Sequence, residues 1–249
     1  MKIAVVNPNA TASMTAKIGA AARAVAAPGT EIVALNPPGG PVSIEGYYDE
    51  AFAVPGLLGE IARLQREPAS PDAYVLACFD DTGLDAARAL ATAPVIGIGE
   101  AAFHLASLLA VKFAVVTTLG RSVAAIEHNL AKYGLAARCA RVRAAEVPVL
   151  ALEEPSSPAR ARIAEEIDRA LREDRAEAIV LGCAGMADLA AGLSREFGVP
   201  VVDGVAAAVK LAESLVALGL KTSKIGAYAP PLPKEYRGAL AAFAPRAET

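Results

Sequence analysis

Tryptophan is absent from the 249 residues, and aromatic side chains as a whole make up only 5%. Alanine, valine and leucine must therefore do most of the packing. Cysteine occurs three times, at positions 78, 139 and 183. An odd count without paired CxxC spacing excludes a disulfide framework and a zinc-type cluster. An excess of positive charge is also missing, since 24 Lys and Arg face 27 Asp and Glu for a net charge of −3. That balance excludes the basic footprint of a nucleic-acid binder. No apolar run has the length of a membrane span. The most apolar stretches, near 101–119 and 204–220, are broken by His104 and Lys112 and by Lys210 and Glu213. The opening run Met1–Val6 is too short for the core of a signal peptide. Neither a G-x-S-x-G elbow nor an HExxH pair occurs. With 54% hydrophobic and 20% charged residues the chain excludes disorder. The expectation is a cytoplasmic protein with neither a membrane nor a nucleic-acid partner.

What is present is a rhythm of short apolar runs and alanine-rich amphipathic stretches. Lys2–Val6, Glu31–Leu35, Ala73–Ala77 and Val95–Ile98 read as buried strands, followed by Lys112–Val116, Arg138–Val142, Ala178–Gly182 and Val199–Val202. Helices are predicted over Thr11–Ala26, Glu50–Arg66, Leu84–Ala91, Val123–Tyr133, Pro158–Glu173, Met186–Glu196 and Val205–Leu218. Alternating strands and helices with continuously apolar strands predict an α/β fold with parallel sheets covered on both faces.

The pattern also repeats. Lys2-Ile-Ala-Val-Val resembles Lys112-Phe-Ala-Val-Val, Tyr74-Val-Leu-Ala-Cys78 resembles Ile179-Val-Leu-Gly-Cys183, and Pro94-Val-Ile-Gly97 resembles Pro200-Val-Val-Asp203. Near-constant offsets over half the chain predict two pseudosymmetric Rossmann-like lobes with a cleft between them. Lobe one is expected to be discontinuous, 1–96 plus 207–249, with lobe two over 97–206. The helix near 204–220 and a strand over Lys224–Ala229 would return to lobe one and complete its sheet.

In parallel sheets, ligands bind at the carboxyl ends of the strands. Asn7-Pro8-Asn9, Cys78-Phe79-Asp80-Asp81, Thr117-Thr118 and Cys183-Ala184-Gly185 fall there. A pseudo-twofold would bring Cys78 and Cys183 to opposite walls of the cleft, each ahead of a helix whose N-terminus favours a thiolate. A buried cysteine is ordinarily a small core hydrophobe, the reading given to Cys139. Two thiols at matching repeat positions instead suit proton removal from one face of a carbon and delivery to the other. Other signals are weaker. Gly97-Ile-Gly99-Glu-Ala-Ala102 fits a dinucleotide fingerprint on paper, without the acidic residue at the next strand end, and reads as a tight turn. His104 and His128 lie in alanine- and leucine-rich helices and read as core or surface residues.

Asn7-Pro8-Asn9-Ala10-Thr11, Ile44-Glu45-Gly46, Ala77-Cys78-Phe79-Asp80-Asp81-Thr82-Gly83-Leu84 and Val180-Leu-Gly-Cys183-Ala-Gly-Met186 together resemble the hydantoin racemase branch of the aspartate/glutamate/hydantoin racemase superfamily. The resemblance runs from residue 2 to about 230 and is most specific at the cysteine motifs. It implies a racemase that needs neither metal nor cofactor and assembles as a homo-oligomer. It further implies Cys78 and Cys183 as the acid/base pair, with substrate held by Asn9, Thr117 and Thr118 and by the loop groups of Phe79, Asp80, Ala184 and Gly185. Members of the branch often read Cys-Phe-Gly-Asp-Pro-Gly, whereas Asp80 and Thr82 occupy the Gly and Pro places here.

Amino-acid racemases of the superfamily carry Asn-Thr after the first cysteine and Thr-His after the second. Phe79-Asp80 and Ala184-Gly185 replace those donors. Acidic neighbours beside a thiol disfavour a carboxylate substrate, so a small neutral cyclic ureide, a 5-substituted hydantoin, is the expected substrate. Either Asp80 and Asp81 face the cleft or they cap the helix that follows. Allantoin racemase and an aspartate/glutamate-type racemase are the alternatives within the superfamily. A ligand-binding module without catalysis is the alternative outside it.

Overall fold

A computed structural model describes residues 1–154 and 156–245. The first half runs β1 (Lys2–Val6), α1 (Ala12–Val25), β2 (Glu31–Leu35), α2 (Tyr47–Leu64), β3 (Ala73–Leu76), α3 (Leu84–Leu90), β4 (Val95–Gly97) and α4 (Ile98–Leu109). The second runs β5 (Phe113–Thr117), α5 (Val123–Lys132), β6 (Cys139–Ala144), α6 (Ala159–Glu173), β7 (Ala178–Gly182), α7 (Ala190–Phe197), β8 (Val201–Asp203) and α8 (Gly204–Ala217). The strands form two four-stranded sheets of the same order, β2-β1-β3-β4 and β6-β5-β7-β8, and every pairing is parallel. The repeat in the sequence is thus a repeat in topology.

Strand alternation explains how the halves pack. Ile3 and Val5 of β1, Ala73 and Val75 of β3, Phe113 and Val115 of β5, and Ala178 and Val180 of β7 all enter one core. Helices α1, α4, α5 and α8 fill that core with Ile18, Phe103, Ile126 and Val209. The intervening residues face outward layers. Ala4, Val6, Tyr74 and Leu76 meet Leu57, Ile61 and Leu84 of α2 and α3. Ala114, Val116, Ile179 and Leu181 meet Ile163, Ile167 and Leu193 of α6 and α7. The two sheets therefore sandwich a shared helical layer, and both faces of each sheet are covered. That double burial is why the strands are continuously apolar rather than alternating.

Helix α8 packs on β3 of the first sheet, and α4 packs on β7 of the second. Each last helix of a half crosses to the other. The expected strand over Lys224–Ala229 is not formed; a single 3-10 turn, Gly226–Tyr228, stands in its place. The chain passes β4 with one backbone bond, Thr222 N–H to Thr92 O at 3.0 Å. Lys224 Nζ then donates to Arg88 O at 2.6 Å. Pro230, Pro231 and Pro233 follow at once and have no N–H to extend a ladder. Of the span 207–249 assigned to lobe one, residues 246–249 lie outside the described residues. The helix expected over Met186–Glu196 is instead a 3-10 turn, Ala184–Leu189, leading into α7. Among the described residues no helix is long and apolar enough to cross a membrane.

Candidate active site

The carboxyl ends of both sheets open on one cleft that encloses about 410 Å³, counting its open mouth. Cys78, two residues beyond β3, and Cys183, directly beyond β7, both line it. The repeat thus places equivalent thiols in the walls of the same cavity. Asn9, Phe79, Asp80, Thr118 and Ala184 line it too. Thr117 does not. As the last residue of β5 it is wholly buried, and its hydroxyl donates to Gly182 O at 2.9 Å across the sheet. Strand alternation sends neighbouring Thr117 and Thr118 to opposite faces, so only one of the two can reach the cleft. Gly185 lies behind Cys183, where an added Cβ would stand 2.9 Å from Leu152 and 3.7 Å from the Cys183 sulfur.

Further lining comes from Asn7, Met14 and Ile44 on one side and from Ser122, Val149 and Gly182 on the other. Asn7 orders its neighbour: Asn7 Nδ2 donates to Asn9 Oδ1 at 2.8 Å, and Thr11 N–H donates to the same oxygen at 2.9 Å. With its oxygen engaged and, among the described residues, its amide nitrogen meeting only the Met14 sulfur at 3.2 Å, Asn9 retains N–H capacity for a ligand carbonyl. The rim is bridged between the halves where Val149 N–H donates to Glu45 Oε1 at 2.9 Å. The Pro37–Pro41 loop supports this rim from outside, Pro41 O accepting from Ala10 N–H at 2.9 Å.

The two acidic residues after Cys78 divide their roles. Asp80 lines the cleft together with Ser122, whose hydroxyl opposes the upward shift of its carboxyl. Asp81 turns away and does not cap α3, the helix that follows, where no side chain serves as a cap. Its carboxylate accepts from Gly99 N–H at 3.0 Å and Glu100 N–H at 2.8 Å at the start of α4, and from Tyr133 Oη at 2.8 Å. The Gly97-x-Gly99 pair is thereby explained. A Cβ on Gly97 would collide with the Asp81 carboxylate, and one on Gly99 with Phe79 O. The N–H groups that a pyrophosphate would need are bonded to Asp81. The histidines stay at the surface, His104 Nδ1 beside Glu100 O at 2.8 Å and His128 Nδ1 3.4 Å from Tyr47 Oη.

Burial first, then the charges of Asp80 and Glu50, push the Cys78 thiol well above the ordinary range. Burial pushes Cys183 up to about 11, with the Asp80 and Glu45 charges adding to it and Lys17 opposing. Three donors work against this: Thr82 Oγ1 at 3.3 Å and the Asp80 N–H on the Cys78 sulfur, and the Gly185 N–H on the Cys183 sulfur. Burial also pushes Asp80 up to about 7, the Glu50 charge adding to it. Each thiol can thus hold its proton at neutral pH while keeping donors ready for the thiolate. Cys139, at the start of β6, is likewise pushed up to about 12 by burial and does not line the cleft. It is a packing residue against the shared core.

The chain matches the Asp/Glu/Hydantoin racemase family over residues 3–212. It is 51% identical over 238 residues to a hydantoin racemase of Rhizobium meliloti, covering 96% of this chain and 98% of that protein. It is 47% identical over 243 residues to a hydantoin racemase of Pseudomonas sp. (strain NS671), covering 98% and 97%. Among solved structures, allantoin racemase from Klebsiella pneumoniae superposes with a TM-score of 0.95 at 51% identity, covering 99% of this chain and 100% of that one. Matched along most of its length, with one topology repeated twice around a shared cleft, the chain belongs to the Asp/Glu/hydantoin racemase family and is an isomerase, a racemase.

Proposed function

We propose that this racemase inverts C5 of 5-substituted hydantoins, with Cys78 and Cys183 as the two acid/base groups. The observation that carries the reading is that equivalent thiols, one from each sheet, line the same cleft. One thiolate takes the C5 proton and becomes a thiol, the electron pair passes into the ring as an enolate, and the opposite thiol gives its proton to the other face and becomes a thiolate. Exchange of roles serves the other enantiomer. The Asp80 and Gly185 N–H groups favour the thiolates of Cys78 and Cys183 and lower the cost of forming them. The neighbouring N–H groups of Phe79 and Ala184, both in the cleft wall, are the donors for the enolate oxygen, and Asn9 Nδ2 serves a second ring carbonyl.

A ring C–H flanked by a carbonyl in a delocalising ureide is more acidic than the α-proton of a free amino acid, which suits a pair of thiols acting without an electron-sink cofactor. The anionic cleft wall also disfavours a carboxylate substrate, against the aspartate/glutamate alternative. Allantoin, a hydantoin with a ureido group on C5, is the second reading, favoured by the likeness to the Klebsiella pneumoniae allantoin racemase. Assembly as a homo-oligomer belongs to the same proposal. Exposed Leu108, Leu109 and Val111 at the end of α4 supply apolar surface for it, and sedimentation at several concentrations checks it.

The test is proton NMR of one pure enantiomer of a 5-alkyl hydantoin in D2O, with chiral analysis of the product. Enzyme-dependent loss of the C5–H signal together with loss of optical purity is expected, and Cys78→Ser and Cys183→Ser should each remove racemisation in both directions. Normal racemisation by either variant would end the two-thiol reading.

A further inference from the structure

The two thiol loops share a backbone turn but not their side chains. Asp81 N–H donates to Cys78 O and Met186 N–H to Cys183 O, both at 3.1 Å, so each sulfur is followed by the same turn. Counting from the sulfurs, Asp80 of the first loop matches Gly185 of the second, and Thr82 matches Ala187. One loop thus carries a carboxylate and a hydroxyl, and the other carries neither at those places. The Thr82 side chain is buried, and among the described residues its hydroxyl has one hydrogen-bond partner, the Cys78 sulfur at 3.3 Å. Ala187 offers Cys183 no such donor.

A thiol is a weak acceptor and a thiolate a strong one, so a buried hydroxyl spent on a sulfur gains when charge appears there. Of the two thiols, Cys78 has the greater need. Burial and then the Asp80 charge push it further above the ordinary range than Cys183, and Thr82 opposes them. In a two-thiol racemase Cys78 must be a thiolate before the reaction of one hand and after the reaction of the other, so its cost enters both directions. We infer that Thr82 is a positioning residue for the reaction, whose hydroxyl holds a hydrogen bond to the Cys78 thiolate and so offsets the carboxylate that this loop alone places two residues beyond its sulfur. Thr82 keeps its own proton throughout; the transferred proton moves only between C5 and the two sulfurs. The inference rests on the two-thiol reading above and departs from its symmetry. The thiols are matched by unequal means, Cys183 by having neither neighbour and Cys78 by having both.

The experiment compares wild type with Thr82→Val, which keeps the shape and removes the hydroxyl, and with Thr82→Ser, which retains the hydroxyl, each first checked by circular dichroism and thermal melting. Iodoacetamide labelling at one alkaline pH is read separately at Cys78 and Cys183 by peptide mass spectrometry. Racemisation of both hands of a 5-alkyl hydantoin is followed by chiral analysis. Loss of one charge-assisted hydrogen bond in Thr82→Val should cut the Cys78 thiolate population about tenfold. Labelling of Cys78 should slow by about threefold, less than the population falls, because the more basic thiolate is also the better nucleophile. Cys183 labelling should hold its wild-type rate. The two enantiomers are equal in free energy, so kcat/KM should fall by the same factor for both hands, about threefold or more. Thr82→Ser should recover both readouts. Equal slowing at Cys78 and Cys183 would show a general disturbance of the cleft and overturn the inference, as would unchanged Cys78 labelling, unchanged kcat/KM, or a serine variant no better than the valine one. Cys78→Ser keeps the two readings apart. If it is inactive while Thr82→Val is unimpaired, the two-thiol reading stands and this one falls; if it racemises normally, both fall.

Discussion

Asp81 does for α4 what Asp203 does for α8. Asp203, the last residue of β8, caps its own helix by accepting from Val205 N–H at 3.0 Å and Ala206 N–H at 2.8 Å. At the equivalent place in the first half the residue is Gly97, and the carboxylate arrives from the Cys78 loop instead. One half has a local cap; the other uses its cap to tether a candidate catalytic loop to the central helices. Asp81 also sits at a φ of 52°, a left-handed conformation that the tether must hold. Asp81→Ala leaves two helix N–H groups and the Tyr133 hydroxyl without an acceptor and should cost about 2–4 kcal/mol in urea unfolding. It should also depress racemisation by loosening the Cys78 loop. Asp203→Ala should cost about 1 kcal/mol with racemisation unchanged, because its cap does not carry a thiol loop.

Gly99→Ala tests the same tether from the helix side. The new Cβ would press on Phe79 O, a backbone atom, and lie 2.9 Å from Asp81 Oδ2. Neither can rotate away. The start of α4 and the loop behind Cys78 must separate, with an expected loss of about 1–3 kcal/mol in thermal or urea unfolding and a fall in kcat. Gly134→Ala, at an open position with a φ of 74°, should lose stability through backbone conformation alone and leave kcat intact.

This division marks what the sequence could and could not reveal. All eight sheet strands were legible because parallel strands buried on both faces are short, continuous apolar runs, and the repeat carried the pairing of Cys78 with Cys183. The Lys224–Ala229 strand misled because an edge of the right composition forms only if its N–H groups find a partner strand. The Gly97-x-Gly99 motif was visible, but its cause was not, since the group that needs those glycines is Asp81, distant in sequence and on another loop. Ser122 and Val149 gave no local signal; they reach the cleft only when the second half closes on the first. The split between Thr117 and Thr118 was available from strand parity, provided the end of β5 is placed correctly.

Thiol labelling separates the three cysteines by environment. All three are partly exposed, so access alone does not rank them. Cys183 is pushed up to about 11, Cys139 to about 12 and Cys78 further still. Since the thiolate is the reacting form, iodoacetamide at pH 8–9 should modify Cys183 before Cys139 and before Cys78, as read by peptide mass spectrometry. A hydantoin in the cleft should slow Cys183 and Cys78 but leave Cys139 unaffected. Labelling of Cys139 first would show that the unliganded cleft is closed to reagent.

The pH profile follows from Asp80. Its charge raises both cleft thiols, and burial with the Glu50 charge pushes its own carboxyl up to about 7. Below that pH Asp80 is largely protonated and its effect on the thiols is small. Above it the new negative charge makes each thiolate harder to form as the solution grows more favourable to it. The wild-type kcat/KM should therefore climb shallowly from pH 7 and continue to rise toward pH 9 or beyond, since burial pushes the Cys183 thiol up to about 11. Asp80→Asn keeps the shape of the side chain and removes the charge. The sign is fixed: without the negative neighbour the thiolates are stabilised, so the rising limb should move to lower pH, by about 0.5–1 unit for one nearby partly screened charge. The comparison belongs on a 5-alkyl hydantoin such as 5-isobutylhydantoin, whose C5 group carries neither charge nor a hydrogen-bond donor. An unmoved limb in Asp80→Asn would place the titrating group outside the two-thiol pair.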